Sequence, residues 1–176
     1  MVSKTLEISS LPKGRKWELD VLGYCPIEFS REMYYWEFTS YLWNAISDQP
    51  EGYDPRLGYD PNDPLKCMTG QLFDGVRRHI PGRWREFLRL YIALGTGLDR
   101  VHGVDALFFL NDTYVTMDAT LDMSKRKGAD FLLTPQNIDI EKNIISETLV
   151  HSIAKRLVHR YELKLAHSGP NKDLTF

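Results

Sequence analysis

The spacing of apolar residues predicts helices in the first half of the chain. After about thirty residues of short strand-like pieces and turn formers, Ser30 is a candidate N-cap, and apolar residues at helical spacing predict a helix from there to about Ile46. Prolines and a doubled Gly-Tyr-Asp-Pro then mark a loop near residues 48–66. Residues 68–80 and 83–95 again carry apolar residues at helical spacing, so two further helices are expected.

The second half of the chain changes to strand patterns and closes with one long amphipathic segment. The runs "GVDALFFL" and "TYVTMDATL" are rich in β-branched and aromatic residues and predict the two strands of a hairpin. A third apolar run, "ADFLLTP", ends at Pro135. Apolar residues from Ile140 to Leu157 share one helix face, and Asp139 is a candidate N-cap, so a helix is expected over 139–164. This order indicates an α/β fold in which helices pack on a small sheet.

Each strand of the hairpin carries one aspartate at a position where an unpaired buried charge would be costly. If Asn111–Asp112 forms the turn, the strands pair so that Asp105 lies directly opposite Asp118. Opposed residues share a face of the sheet, with Cβ atoms about 4.5–5.5 Å apart. This register requires an even number of loop residues, because an odd number would break it.

Two carboxylates held this close have a small number of common uses. They can share a proton, pair with basic side chains or bind a divalent metal. Oxygen ligands favour Mg²⁺ or Mn²⁺, and such an ion could activate water and stabilise a phosphoryl transition state. The alternative is structural, with both aspartates near strand ends, either solvated or paired with Arg100, Lys125 or Arg126.

Composition restricts the class of protein without identifying it. The 176 residues suit a single domain, expected over 1–176, and 43% hydrophobic with 26% charged residues indicates a globular protein. A net charge of −2 provides no global basic field, so nucleic acid would have to bind a local patch. Cys25 and Cys67 have neither metal-ligand nor redox spacing, and the apolar runs are too short for a membrane span. We therefore expect a cytoplasmic protein without a membrane partner.

The segment around the two aspartates resembles the PD-(D/E)XK nuclease superfamily, which has the restriction-endonuclease-like fold. In that family a helix precedes a mixed sheet, an aspartate opens one strand, and an acidic-x-Lys motif lies on the next. Here "LDRVHGVDALFF" resembles the first motif, with Asp105, and "VTMDATLD" resembles the second, with Asp118 as its acid. The resemblance covers residues 84–164. It implies a nuclease-like core with a small mixed β-sheet flanked by helices, preceded by an N-terminal helical extension and loop over 1–83.

The activity implied by this resemblance is metal-dependent hydrolysis of DNA phosphodiester bonds, with Mg²⁺ or Mn²⁺ held by Asp105 and Asp118. The family places its lysine two residues after the acid, and Thr120 occupies that position here. Threonine cannot supply the cation that positions the attacking water. A displaced Lys125 or Lys127 could take this role, and the alternative for both is a solvated turn.

Members of the superfamily often add a helix glutamate to the metal site. Glu37, in "YYWEFTSYL", is the preferred metal ligand, because a carboxylate among aromatic residues is costly unless it has a partner. Glu86 is the second candidate, although it also lies at helical spacing from Arg83 and Arg89. If the missing lysine marks lost catalysis, the chain would be an inactive nuclease-fold protein that binds nucleic acid or a protein partner. A third hypothesis is an interaction protein of unrelated α/β fold.

Basic residues concentrate in two groups that could contact phosphates. The groups are Arg77, Arg78, Arg83, Arg85 and Arg89 before the sheet, and Lys155, Arg156, Arg160 and Lys164 on the last helix. The alternative for each is the solvated face of an amphipathic helix. With the resemblance, they favour nucleic acid as partner, DNA over RNA, and a homodimer would suit double-strand cutting. His151 and His159 share a face, but no cysteine or carboxylate lies at zinc spacing with them, so no zinc site is expected.

Overall fold

The computed structural model describes residues 11–23, 38–47, 68–124 and 128–167. Within these ranges the protein is mixed α/β, with a four-stranded mixed sheet and helices packed on both of its faces. The predicted class, a small sheet flanked by helices, is therefore confirmed at this level.

The described parts of the chain begin with three α-helices, and most of the strands follow one another before the last helix. The α-helices are α1 (Lys13–Leu22), α2 (Phe38–Ser47), α3 (Met68–His79), α4 (Gly97–His102) and α5 (Glu147–His167), and a 3-10 helix covers Gly82–Phe87. The strands are β1 (Leu88–Ile92), β2 (Ala106–Leu110), β3 (Thr113–Ala119), β4 (Phe131–Leu133), β5 (Ile138–Asp139) and β6 (Ile144–Ile145).

The four strands of the main sheet lie in the order β1-β2-β3-β4, and β5 pairs with β6 separately. β2 is antiparallel to both β1 and β3, whereas β4 runs parallel to β3. The β2–β3 hairpin turns at Asn111, whose φ of +53° is a conformation that asparagine tolerates better than most residues. Leu110 pairs with Thr113 and Ala106 with Met117, so the predicted hairpin and its register are confirmed.

The prediction of a helix over 83–95 is wrong. The chain instead forms a 3-10 helix and then strand β1, which pairs with β2. Every second residue of β1, from Leu88 to Ile92, is buried, and this is the two-residue period of a strand. Over so short a run, apolar spacing fits a helix and a strand alike, and pairing with the buried strand β2 favours the strand.

The last helix begins later than the sequence predicts. α5 covers Glu147–His167 rather than 139–164, because β5 and β6 pair as a short hairpin before it. Asp139 is therefore not an N-cap; its carboxylate accepts a hydrogen bond from the backbone N–H of Lys142 within the turn. Asn143 has a φ of +56°, which a right-handed helix does not accommodate.

Three other elements can be compared with their predictions. The helix expected over 68–80 is α3, and the apolar run before Pro135 contains β4, so both predictions are confirmed. The helix expected from Ser30 is described from Phe38 onward as α2, and its earlier residues lie outside the described ranges.

The main sheet lies between two helical layers. On one face α1, α3 and α5 pack against alternate strand residues such as Leu90 and Phe108. On the other face α2 and α4 cover Leu107 and Phe109. All residues of β2 are consequently buried, as is typical of a strand covered on both faces. Asp105, which immediately precedes β2, is therefore surrounded by a low-dielectric interior.

Candidate functional site

Asp105 and Asp118 both lie inside the protein at one end of the central strands. Asp105 immediately precedes β2 and is 2% exposed, and Asp118 lies near the end of β3 and is 1% exposed. Because β2 and β3 are antiparallel, the start of one lies beside the end of the other. The two aspartates predicted to be neighbours therefore do share one end of the hairpin.

The hydrogen bonds around Asp105 show how its carboxyl is held. Regular strand pairing ends at Ala106 and Met117, one position before the two aspartates. Beyond that point the Asp105 N–H donates to the Met117 carbonyl at 2.8 Å, and Oδ2 of Asp105 accepts a 2.7 Å bond from the N–H of Ala119. The side chain of Asp105 thus continues the contact with β3 where the backbone ladder stops.

The electrostatic environment of Asp105 opposes its ionisation. Burial is the largest cause that raises the pKa of this carboxyl, and the negative charges of Asp99, Asp118 and Glu18 raise it further. The hydrogen bond from Ala119 acts in the opposite direction, since it favours the charged form. The net result is a pKa raised to about 8, so Asp105 is mostly protonated at neutral pH.

A cation from the first helix faces this group of carboxylates. The Arg15 guanidinium lies 2.7 Å from Glu18 and 3.5 Å from Asp99. Burial lowers the pKa of Arg15, but the hydrogen bond from Arg15 to Glu18 and the charges of Glu18, Asp99 and Asp105 outweigh it, so the pKa is raised. We refer to Arg15, Glu18, Asp99, Asp105 and Asp118 together as the acidic cluster.

Local sequence explains the position of Asp99. Thr96 is the N-cap of α4, and its Oγ1 accepts hydrogen bonds from the N–H groups of Leu98 and Asp99. Oδ2 of Asp99 in turn accepts a 2.6 Å bond from the N–H of Gly95, which has a φ of +81°. The spacing of Thr96 and Asp99 is a helix-start signal, since a threonine lies three residues before an acid, but it does not indicate a contact of Asp99 with Asp105. Nothing in the sequence near Asp105 indicates Arg15 or Glu18.

The position that the nuclease motif would give to lysine has a structural role here. Thr120 is 8% exposed, and its N–H donates to the carbonyl of Leu133 at 2.9 Å. Its Oγ1 accepts a 3.1 Å bond from the N–H of Asp122. Thr120 therefore joins β3 to β4 and begins the following turn. Lys125 and Lys127, the predicted substitutes, lie outside the described residues.

The arrangement offers oxygen ligands, but an incomplete set. Glu37, the predicted third ligand, lies outside the described residues. Within the described ranges, no group of three or more His, Cys, Asp or Glu side chains is arranged to hold a metal ion. The described carboxylates can hold a proton or pair with Arg15, and a divalent ion would need ligands in addition to Asp105 and Asp118.

The basic group on α5 is engaged with acidic residues of the sheet. Arg160 binds both oxygens of Asp130 at 2.7 Å and donates to the carbonyl of Tyr114, while Arg156 lies 3.5 Å from Asp130. Lys164 pairs with Asp112 in the hairpin turn. Burial raises the pKa of Asp130, but the Arg160 and Thr116 hydrogen bonds and the two arginine charges more than compensate and hold it below its usual value. These contacts attach α5 to β3 and β4.

The basic group before the sheet lies at the surface. Arg77 and Arg78 are exposed at the end of α3, and Arg78 lies 3.7 Å from Glu147. The Arg83 guanidinium lies over the ring of Trp84. Arg83 precedes β1, whose first residue pairs with Leu110 beside the hairpin turn, so it lies towards the end of the sheet opposite the aspartates.

Comparison with known proteins gives no relative for this chain: no family model matches it, and neither a curated protein nor a solved structure is significantly similar. Among the described residues, no helix combines the length and the apolar character that crossing a bilayer requires. A function for the chain must therefore be inferred from the acidic cluster and its chemistry.

Proposed function

We propose that the chain is a metal-dependent nuclease with a restriction-endonuclease-like core, and that it hydrolyses phosphodiester bonds of DNA. The observation that carries the proposal is the buried pair of Asp105 and Asp118 at one end of neighbouring central strands. A buried carboxyl with a pKa of about 8 is unfavourable for stability at neutral pH. Groups perturbed in this way by burial and specific charges concentrate at functional sites.

The chemistry of the donors fits the proposed ion. Carboxylate oxygens are the ligands that Mg²⁺ and Mn²⁺ prefer, and a dication beside Asp105 and Asp118 would favour the ionised form of Asp105. When bound, the ion would supply Lewis-acid stabilisation of the phosphoryl group and a more acidic water. Glu37 is the proposed third ligand, and Lys125 or Lys127 the proposed cation that positions the attacking water.

The protein's own contribution is to fix these carboxylates in place. The Ala119 N–H holds one oxygen of Asp105, so the carboxyl cannot rotate freely. Asp99 and Glu18 add negative charge that would attract a cation, and Arg15 offsets part of it. The N-terminal helix α1 is therefore part of the proposed site, and the sequence motifs alone do not include it.

The alternative function is a catalytically inactive nuclease-fold protein that binds nucleic acid or a protein partner. The observation that favours it is the pairing of Arg15 with the carboxylates of the acidic cluster. An arginine and a protonated Asp105 together can balance the buried charge without a metal. Thr120 at the motif lysine position is consistent with this reading, because its hydrogen bonds are structural.

Plasmid cleavage separates the two functions. Supercoiled plasmid, linear DNA, single-stranded DNA and RNA are incubated with the wild-type chain and Mg²⁺ or Mn²⁺, and the products are resolved on gels. We expect metal-dependent cutting of DNA that Asp118→Asn abolishes and Asp112→Asn preserves, since Asp112 lies in the hairpin turn at the opposite end of the strands. If no nucleic acid is cut with either ion, the nuclease proposal fails and the inactive alternative is favoured.

A further inference from the structure

Two histidines from different helices meet where α3 ends and α5 begins. Nδ1 of His79 lies 3.5 Å from Nδ1 of His151, and the two rings are nearly perpendicular, with centroids 5.0 Å apart. Nε2 of His79 lies 2.6 Å from Oε1 of Glu147, the first residue of α5. This cluster shares no residue with the acidic cluster.

The geometry of the pair suits a shared metal ion. A separation of 3.5 Å between the Nδ1 atoms is longer than an ordinary hydrogen bond. Two nitrogen ligands at about 2.0–2.1 Å from a tetrahedral zinc lie about 3.4 Å apart. The observed separation therefore matches the spacing of two nitrogen ligands on one zinc ion, and such an ion would replace the direct contact between the two nitrogens.

Glu147 prepares His79 for this role. A carboxylate at hydrogen-bond distance from Nε2 favours the tautomer that carries its proton there, and this leaves a lone pair on Nδ1, the nitrogen that lies 3.5 Å from Nδ1 of His151. An outer carboxylate of this kind is the usual support of a metal-bound histidine, since it fixes the orientation of the ring and increases the basicity of the ligand. His79 is thus oriented by a residue of the helix that supplies the second ligand.

An approach from solvent is also present. A groove of about 190 Å³ lies between α3 and the start of α5, and it is lined by Asp74, Arg78 and Glu147 among others, the last of which contacts His79. His151 itself is exposed, so water can reach the open coordination positions. A metal site requires such an entry path.

We propose that His79 and His151 form a two-histidine site for Zn²⁺ or a similar transition-metal ion, with Glu147 as the outer partner and water completing the coordination. Imidazole ligands suit zinc rather than Mg²⁺, so the site differs in chemistry from the acidic cluster. The bound ion links the end of α3 to the start of α5. Because the described residues supply two ligands, binding is weaker than at a closed four-ligand site.

The proposed site differs from the sequence expectation of no zinc site. The partner of His151 is not His159 on the same helix but His79, 72 positions away along the chain. Such a pairing depends on how α3 packs against α5, and no spacing pattern within one helix reveals it.

The test is isothermal titration of the full, untagged chain with ZnCl₂. We expect a Zn²⁺ site whose affinity is reduced at least about tenfold in His79→Gln and in His151→Gln, and about tenfold in Glu147→Gln. His159→Gln is the matched control, because His159 is exposed on the same helix, and it should bind as the wild type does.

A second measurement distinguishes the loss of zinc binding from misfolding of a variant. Zinc should raise the Tm of the wild type and of His159→Gln by more than that of His151→Gln, which replaces an exposed side chain and leaves the core intact. The proposal is overturned if the wild type binds Zn²⁺ no more tightly than His151→Gln, or if His159→Gln loses as much affinity. Either result would leave the histidines as a simple packed pair.

Discussion

Oδ2 of Asp105 accepts a 2.7 Å hydrogen bond from the backbone N–H of Ala119, the residue that follows Asp118 on β3. The contact ties the aspartate at the start of β2 to the strand that carries the second aspartate. Burial and the charges of Asp99, Asp118 and Glu18 raise the pKa of Asp105, and this bond only partly opposes them. The carboxyl is consequently held in a fixed position and carries a proton that a metal ion would have to displace.

The stability of the protein should fall as pH rises towards 8 because of Asp105. The pKa of its carboxyl is about 8 in the folded state against an ordinary value of 3.8, so between these values the folded state binds one proton more than the unfolded state. Asparagine imitates the neutral carboxyl and can still accept the Ala119 hydrogen bond. The stability advantage of Asp105→Asn over the wild type should therefore grow between pH 5 and pH 8 by at least about 1.4 kcal/mol, the equivalent of one pKa unit.

Urea unfolding of both proteins at several pH values measures this difference. Asp112→Asn is the control, because Asp112 is exposed in the hairpin turn. Its substitution should leave the pH dependence of the unfolding free energy between pH 5 and pH 8 unchanged. If the unfolding free energies of Asp105→Asn and the wild type change with pH in the same way, the raised pKa of Asp105 is contradicted.

Removal of the Arg15 guanidinium should make Asp105 still harder to ionise. Arg15 and Asp105 attract each other, and the loss of that attraction favours the neutral carboxyl. We expect the titration midpoint of Asp105 to move upward in Arg15→Gln, as followed by carboxyl ¹³C NMR. Lys16→Gln, an exposed change on the same helix, should leave the midpoint where it is. An unchanged midpoint in Arg15→Gln would show that Arg15 has no influence on the acidic cluster.

The contact between Arg160 and Asp130 should stabilise the docking of α5. Arg160→Ala leaves a largely buried carboxylate without its bidentate partner, so we expect a loss of about 2 kcal/mol in unfolding free energy at pH 7. Because the pKa of Asp130 is lowered in the folded state, its stabilising contribution is present above the ordinary value of 3.8 and is lost as pH falls below it. The difference in unfolding free energy between Arg160→Ala and the wild type should therefore be smaller at pH 3 than at pH 7. Arg77→Ala is the surface control, and an equal loss in both variants would refute the structural role of Arg160.

The contact between α3 and α5 should not tolerate a methyl group at Gly75. A Cβ there would lie 2.8 Å from Cγ1 of Val150, a stiff β-branched side chain. We expect Gly75→Ala to destabilise the protein by about 1–3 kcal/mol through overpacking, despite the better helix propensity of alanine. Gly14→Ala in α1 meets nothing within 4 Å and should be neutral or stabilising by about 0.5 kcal/mol. Thermal unfolding compares the two, and stabilisation by both would contradict the packing described.

The central hairpin could be predicted because its determinants are local. A loop with an even number of residues at Asn111 and two runs of strand-forming residues determine the register. This register brings Asp105 and Asp118 to the same end of the hairpin. The sequence does not distinguish β1 from a helix, because the apolar spacing of its five residues fits the period of a helix and that of a strand. Only pairing with β2 makes them a strand. The start of α5 was misplaced for a similar reason, because β5 and β6 pair before it.

The remainder of the acidic cluster could not be predicted because its contacts join distant parts of the chain. Arg15 reaches Asp99 across 84 positions, and the packing of α1 beside the sheet brings them together. The basic stripe on α5 has the spacing of a phosphate-binding face, yet Arg160 faces Asp130 once the helix docks on the sheet. Charge spacing along one helix does not reveal what lies opposite.

Binding of Mn²⁺ is the measurement that tests the proposed metal site most directly. Electron paramagnetic resonance of free Mn²⁺ during titration at pH 8 should show one saturable site that Asp105→Asn and Asp118→Asn each weaken at least about tenfold. Asp112→Asn and His151→Gln should bind as the wild type does, and the second of these separates the acidic cluster from the histidine pair. The proposed metal site would be contradicted if the wild type shows no saturable binding, or if Asp105→Asn and Asp118→Asn retain it.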